Sequence, residues 1–158
     1  MTMIKDIKFN DFPALRNLIS EEFGEFGETY LISQEMIMLF ADLTNDHQWI
    51  HVDVERARTT SPFGDTIAHG FLTLALATTL RPKLDFNITA YSSAMNYGID
   101  QLRFLAPVVA GSRVYGRIRF DSVEEKASGT LITSEMAIHV VGSDKPSIIF
   151  KWKLLYRP

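Results

Sequence analysis

The stretch Gly70-Phe-Leu-Thr-Leu-Ala-Leu-Ala-Thr-Thr-Leu80 has helical spacing and is apolar on nearly every side. A helix of that composition has no face for water, so other elements of the fold must enclose it. The stretch is also far shorter than the ~20 apolar residues that a membrane span requires. We therefore predict a central helix that starts near Gly70 and lies inside the core.

The second half of the chain changes from helical periodicity to alternation of apolar and polar side chains. Such alternation marks residues 113–120, 131–141 and 148–156, and residues 91–104 supply a further long strand. Alternation is typical of antiparallel strands with one face on the core. The side chains predicted to point inward are Val114, Ile118, Phe120, Ile132, Met136, Ile138, Val140, Ile148, Phe150, Trp152, Leu154 and Tyr156. We predict an α+β fold in which an antiparallel sheet wraps around the central helix.

The first half of the chain contains helix-start signals. A short helix is predicted over residues 11–19 and a short strand over residues 29–32. Ser33 is a good N-cap for the helix that follows it, and Asp53 can cap another short helix at residues 54–57. These helices are predicted to form an insertion that carries the polar residues discussed below.

Composition limits the function classes. The 158 residues are the size of one domain, so we assign 1–158 to a single domain. The net charge of -3 and the lack of a basic stripe argue against nucleic acid as a partner. The chain has no cysteine, which excludes thiol nucleophiles, and its N-terminal residues show no secretory signal. We expect a cytoplasmic protein that is not bound to a membrane.

Asp46 and His51 lie in a polar connection after the Ser33 helix, and both are groups that move protons near neutral pH. Their spacing lets both side chains point into one small space if the chain turns between them. The alternative is an Asx-turn former and a half-exposed histidine without catalytic roles. His47 should point away from Asp46 to the surface. A metal site is not favoured, because no third ligand stands at a recognised spacing.

His69-Gly70 stands at the head of the central helix. A glycine there lets a ligand approach the backbone, and its free N–H is suited to a carbonyl oxygen that gains negative charge. The alternatives are that Gly70 only meets a packing requirement and that His69 is a structural histidine.

Together these residues resemble the MaoC-type dehydratases, the hot-dog-fold family of (R)-specific enoyl-CoA hydratases, and in particular the branch similar to nodulation protein N. The resemblance runs from about residue 27 to the end. The motifs that carry it, in family order, are Ala41-Asp-Leu-Thr-Asn-Asp46 through His51, Ser61-Pro-Phe-Gly64, Thr66-Ile-Ala-His-Gly70-Phe-Leu-Thr-Leu74, Asn96-Tyr-Gly98 and Arg103-Phe-Leu-Ala-Pro107-Val108.

The resemblance implies a hot-dog fold and a homodimer that reversibly hydrates trans-2-enoyl-CoA to (3R)-3-hydroxyacyl-CoA in fatty acid metabolism, without a metal or redox cofactor. It implies that Asp46, His51 and the Gly70 N–H are catalytic. On the same basis we expect the substrate to be bound by His69, Phe71, Trp49 and Asn96. Many members of the family have Asn-Pro where this chain has Gln48-Trp49, so the bulk of Trp49 bears on acyl-chain length.

Two other functions fit the same residues. An acyl-CoA thioesterase can be built on the same fold, since fold does not fix function. A non-catalytic module that binds acyl thioesters, for example in signalling, is the second alternative. Retention of both Asp46 and His51 argues against simple binding, which needs neither group.

Overall fold

The computed structural model describes residues 4–158. Residues 1–3 lie outside the described residues. They begin the N-terminal stretch that was predicted to lack a secretory signal. The strands are β1 (Lys5–Lys8), β2 (Tyr30–Leu31), β3 (Phe86–Thr89), β4 (Ser93–Phe104), β5 (Arg113–Lys126), β6 (Gly129–Val140) and β7 (Ile148–Arg157). The helices are α1 (Phe12–Arg16), α2 (Gln34–Thr44), α3 (Trp49–Val52), α4 (Val54–Thr60), α5 (Gly70–Ala75) and α6 (Ala77–Leu80).

The main sheet has the strand order β2-β5-β6-β7-β4, and all its neighbouring strands are antiparallel. The four long strands predicted in the second half of the chain, three of them from alternation, are confirmed. β1 pairs in parallel with β3 in a separate small sheet, and the sequence analysis missed this pair. β1 has four residues, of which only Ile7 is buried, so it offers almost no alternation to detect.

One face of the main sheet packs against the helices. Most of the predicted inward side chains are buried in one apolar cluster, and Val140, Trp152 and Leu154 are partly buried against it. Gly116 lies where β5 meets the end of α6, and a Cβ there would be 2.6 Å from the carbonyl oxygen of Leu80. The sheet therefore approaches the helix more closely than a larger residue would allow. This arrangement confirms the predicted α+β hot-dog fold.

The central helix differs from the prediction in two ways. It is divided into α5 and α6 at Leu76, whose ψ of 1° departs from helical geometry. It is also enclosed on one side only: Leu72, Ala77 and Leu80 are buried, whereas Phe71 is 67% exposed. The exposed side of this helix adjoins β4, the edge strand of the sheet, so a single protomer does not enclose the helix.

The predicted caps are confirmed. The Ser33 side chain accepts a hydrogen bond from the Met36 N–H at the start of α2, and that of Asp53 accepts one from the Arg56 N–H at the start of α4. The first helix is shorter than predicted and is capped by Asp11. Among residues 4–158, no helix combines the length and apolarity needed to cross a membrane.

Candidate active site

Helix α2 delivers Asp46 to the site. The helix ends at Asn45, which adopts the left-handed conformation with φ 57°, and the Asp46 N–H then donates to the carbonyl oxygen of Ala41. Asparagine tolerates this conformation better than most residues, so the sequence itself favours the turn. Asp46 Oδ1 accepts a long, 3.4 Å hydrogen bond from the Gln48 N–H, as in an Asx turn. The Asp46 side chain is 57% exposed, so its carboxylate is open to a ligand.

His51 lies on α3, a short helix where the sequence analysis expected only a polar connection. Its side chain is buried, contrary to the half-exposed alternative. His51 Nδ1 lies 2.7 Å from the carbonyl oxygen of Ile67, which can only accept, so Nδ1 carries the hydrogen. Burial lowers the pKa of His51 below its ordinary value of 6.5, outweighing the raising effects of the Ile67 hydrogen bond and Asp46. The lowered pKa favours the neutral form of His51, in which the lone pair lies on Nε2.

Two residues that the sequence analysis missed hold His51 in place. Gln34, at the first position of α2, donates from its amide nitrogen to the carbonyl oxygen of His51 across 2.8 Å. The fully buried hydroxyl of Thr66 in turn donates to the Gln34 amide oxygen. The motif that begins at Thr66 was the one sequence signal that could have pointed to this residue. Its partner Gln34 lies more than thirty positions earlier in the chain, so the sequence does not show the pairing.

His69 is 3% exposed and lies against both residues of the pair. Its Nε2 donates to the backbone carbonyl oxygen of Asp46 across 2.9 Å. Its ring stacks on that of His51, with centroids 3.8 Å apart and an angle of 25° between planes. With Nε2 occupied and Nδ1 buried, His69 has no polar atom facing a substrate, which does not fit the predicted substrate contact.

The fold thus brings together the acid and the imidazole that the sequence analysis paired. One potential ligand atom from each of Asp46, His51 and His69 lies within 4.8 Å of the others. A metal would have to compete with carbonyl oxygens for His51 Nδ1 and His69 Nε2. The atoms that remain able to bind a water molecule or a ligand are His51 Nε2 and the Asp46 carboxylate. His47 points to the surface as predicted and bonds Asp42.

Gly70 begins α5 directly after His69. Its N–H donates no hydrogen bond to the backbone of residues 4–158 and is available to a ligand. A Cβ at this position would lie 2.7 Å from the ring of Phe104, so the packing alternative also has support. The close neighbour is a half-exposed side chain and not backbone, so it can move at low cost.

A cavity of about 490 Å³ lies between the central helix, β4 and β7. Its walls are mainly apolar, and they include Leu74, Thr78, Asn96, Phe150 and Trp152. The indole N–H of Trp152 donates to Asn96 Oδ1 across 2.8 Å and ties the two strands together. Asn96 thus lines this cavity, whereas Asp46, His51 and Gly70 do not.

Two predicted substrate residues lie outside this cavity. Trp49 is covered by the guanidinium group of Arg56, which lies 4.2 Å from the ring centroid, and it is not among the cavity walls. Phe71 points outward and meets Phe104 edge to face at 5.8 Å. Both were expected to contact substrate on the basis of the family resemblance, but Trp49 begins a separate helix and Phe71 lies on the exposed side of α5.

An antiparallel sheet curled against a short central helix, with an acid and an imidazole at the head of that helix, is the arrangement of hot-dog dehydratases. The family described as MaoC like domain matches residues 19–140. The chain belongs to this family.

The comparisons with individual proteins agree. The chain is 47% identical to 3-hydroxyacyl-thioester dehydratase Z of Mycobacterium tuberculosis H37Rv over 89% of this chain and 92% of that protein. It is 40% identical to nodulation protein N of Rhizobium leguminosarum bv. viciae over 85% of this chain and 83% of that protein. Its fold is similar to that of the (R)-hydratase from A. caviae, with a TM-score of 0.66, 22% identity and coverage of 86% of this chain and 97% of that one.

Proposed function

We propose that the protein hydrates trans-2-enoyl-CoA thioesters to (3R)-3-hydroxyacyl-CoA and catalyses the reverse dehydration. The observation that carries the proposal is the pairing of a buried His51 with an exposed Asp46 carboxylate, both next to His69, which directly precedes Gly70 at the start of α5. Family membership supports hydratase or dehydratase chemistry, and a 3-hydroxyacyl-thioester dehydratase is among the similar proteins. The (R) hand follows from the family resemblance.

The tautomer of His51 suggests how the water is activated. Its Nδ1–H is held by Ile67, so only the Nε2 lone pair can take a proton. A water held between Nε2 and the Asp46 carboxylate gives its proton to His51 as its oxygen bonds to C3 of the substrate. The imidazolium, stabilised by Asp46, then returns that proton to C2. The net change is the addition of H and OH across the double bond.

The Gly70 N–H is the proposed donor to the thioester oxygen. As oxygen adds at C3, negative charge develops on the thioester carbonyl oxygen, and a fixed donor stabilises that charge. Gly70 is exposed at the start of α5, and its N–H donates to no backbone group in the described part of the chain. The chemistry exchanges no electrons with another molecule, so we propose that it needs no redox cofactor, and no metal.

The cavity beside the helix is the proposed site of the acyl chain. Leu74 lies one helical turn after Gly70 on the same side of α5, and it lines the cavity. A thioester carbonyl held at the Gly70 N–H would direct its acyl chain along this side of the helix. Asn96 and Trp152 would then contact the chain, whereas Trp49 would not.

We further propose that the protein is a homodimer joined at β4. In the described part of the chain β4 pairs with β7 alone, so its other edge has free hydrogen-bonding groups. Met95, Tyr97 and Ile99 on β4 are exposed apolar residues, and Phe71 is exposed on the adjoining helix. Pairing two copies about a two-fold axis would satisfy the edge and enclose the open side of the central helix.

The decisive experiment is to mix pure protein with crotonyl-CoA and follow the absorbance of the conjugated thioester. Loss of that absorbance without release of free thiol supports the hydratase. Thiol release from acyl-CoA would instead indicate the thioesterase, and binding without either change would indicate an acyl-thioester binding module. The cytoplasmic location stays a prediction of the sequence.

A further inference from the structure

Asp46 has few anchors of its own. Its carboxylate is largely exposed; Oδ1 accepts the long 3.4 Å hydrogen bond from the Gln48 N–H, and Oδ2 lies 4.0 Å from His69 Nε2. The backbone of Asp46 is held at two points: its N–H donates to Ala41, and its carbonyl oxygen accepts from His69 Nε2. The second of these is the only one that connects the Asp46 loop to the central helix region, where Gly70 lies.

The ring of His69 is itself fixed on both sides. Phe40 lies against it with ring centroids 5.1 Å apart, and His51 stacks on it at 3.8 Å. The ring therefore acts as a spacer between α2 and α3. Because the His69 ring is adjacent to His51 and bonds Asp46, a change in its position would alter the distance between the Asp46 carboxylate and His51 Nε2.

The hydrogen bonds of His69 indicate which of its ring nitrogens carries the hydrogen when the ring acts as this spacer. The Asp46 carbonyl oxygen accepts, so His69 Nε2 must carry a hydrogen. His69 Nδ1 is buried and has no partner among residues 4–158, which favours a ring with no proton on that nitrogen. His69 is thus a single-donor spacer, and it contributes no acid or base of its own.

We propose that His69 is a positioning residue that fixes Asp46 through the Nε2–H bond to the Asp46 carbonyl oxygen, and that supports the His51 ring by stacking. The effect of this role on turnover rests on the proposed hydratase function. It differs from the substrate contact predicted from the sequence, because His69 acts here only through its two neighbours.

Two substitutions separate the donor from the ring. His69→Phe keeps an aromatic ring against His51 but removes the donor, whereas His69→Gln places an amide N–H near the position of Nε2 and removes the ring. The matched control is His139→Phe, since His139 is 1% exposed and bonds the Ser143 carbonyl oxygen on the sheet, away from Asp46 and His51. This control reports the cost of replacing a buried histidine as such.

In folded protein, His69→Phe should lower kcat for crotonyl-CoA by ~10–100-fold with little change in KM, because misplaced catalytic groups lose rate and not ground-state binding. His69→Gln should recover part of that loss, with the remainder reporting the lost stacking on His51, and His139→Phe should leave kcat unchanged. In an Asp46→Asn background, His69→Phe should cost no more than about twofold, since no carboxylate then needs positioning. Unchanged turnover in His69→Phe, equal losses in the Phe and Gln variants, or losses that add in the double variant would each overturn the proposal.

A measurement without substrate separates this proposal from the hydratase function. Side-chain ¹⁵N–¹H spectra of the unmodified protein should show His69 protonated at Nε2 alone, with a slowly exchanging ring hydrogen. Protonation at Nδ1 alone would overturn the proposal, and this test remains decisive if His69→Phe fails to fold. An absence of hydratase activity together with the Nε2–H tautomer would contradict the proposed function while leaving the contact between His69 and Asp46 supported.

Discussion

His51 donates its Nδ1–H to the carbonyl oxygen of Ile67 across 2.7 Å, which leaves Nε2 as the only ring atom able to accept a proton. The carbonyl belongs to the Thr66–Gly70 segment, so this bond joins the imidazole to the segment that leads into the central helix. The position and tautomer of the proposed base are therefore set by an element distant from it in sequence.

The first prediction concerns pH. Burial lowers the pKa of His51 below 6.5, and the neutral form is the active base, so kcat/KM should fall as pH drops through this lowered pKa. The midpoint of the acid limb, measured with crotonyl-CoA, should lie below 6.5. A midpoint above that value would contradict the neutral, buried base.

The same shift predicts a change in stability. Above the ordinary pKa, His51 is neutral in both states; as pH falls, the unfolded chain takes up the proton first. The free energy of unfolding should therefore decrease from pH 6.5 down to the lowered pKa of the folded state. Burial also lowers the pKa of His139, which acts in the same direction. Denaturant titrations at several pH values should show a smaller decrease in His51→Gln than in the unmodified protein.

The second prediction concerns the pair itself. Asp46→Asn and His51→Gln should each lower kcat by ~10²–10⁴ with the fold retained, since each removes or weakens a proton acceptor. The double variant should lose little more than either single one, because both groups act on one water. His47→Gln is the control, as His47 neighbours Asp46 in sequence but faces the surface. Near-normal hydration of crotonyl-CoA by either single variant would refute the assignment.

The third prediction separates two properties of Gly70, namely the backbone N–H that is the proposed donor and the lack of a side chain. Gly70→Pro removes the proposed donor at a position in the first helical turn, where proline is tolerated, and His69 has a ψ of 135° that suits a following proline. We expect a ~10²–10³ loss in kcat. Gly70→Ala keeps the donor but places a Cβ against Phe104, so it should mainly raise KM.

A second substitution tests whether the expected rise in KM of Gly70→Ala comes from the contact between its Cβ and Phe104. Phe104→Leu should restore KM in the Gly70→Ala background, because it removes the ring that the new Cβ would touch. It should not restore kcat in the Gly70→Pro background. Steady-state kinetics on the four variants gives both comparisons, and a folded Gly70→Pro protein with unchanged kcat would show that the carbonyl is held elsewhere.

The fourth prediction concerns acyl-chain length and uses the chain's two tryptophans. Trp152 lines the cavity, so Trp152→Leu should enlarge it and shift the kcat/KM preference toward longer 2-enoyl-CoA substrates. Trp49→Leu should leave the preference unchanged, since Trp49 lies under Arg56. The kcat/KM values for a series of enoyl-CoA chain lengths give the comparison, and the reverse pattern would return chain-length selection to Trp49.

The fifth prediction concerns assembly. Met95→Arg places a charge on the open edge strand β4 and should shift sedimentation from dimer to monomer, whereas Leu43→Arg should not. Leu43 is a suitable control because it is 81% exposed on α2, away from β4. Sedimentation of the unmodified protein as a monomer at micromolar concentration would refute the dimer.

The sequence alone determined the features that depend on local periodicity and local chemistry. Alternation located β5 to β7, the Ser33 and Asp53 side chains identified the helix caps, and the motif around Asp46 and His51 indicated the proton-transfer pair. These features could be predicted because their physical causes, side-chain period and side-chain-to-backbone hydrogen bonds, lie within a few residues of one another.

Tertiary structure decided everything that depends on contacts between distant segments. The Ile67 carbonyl selects the His51 tautomer, Gln34 and Thr66 hold its backbone, and His69 bonds Asp46; none of these pairings has a local signal. For the same reason, the sequence did not show that Trp152, and not Trp49, lines the cavity. A strand or helix period assigns a side chain to a face, but only the packing of elements against one another determines which side chain of another element it meets.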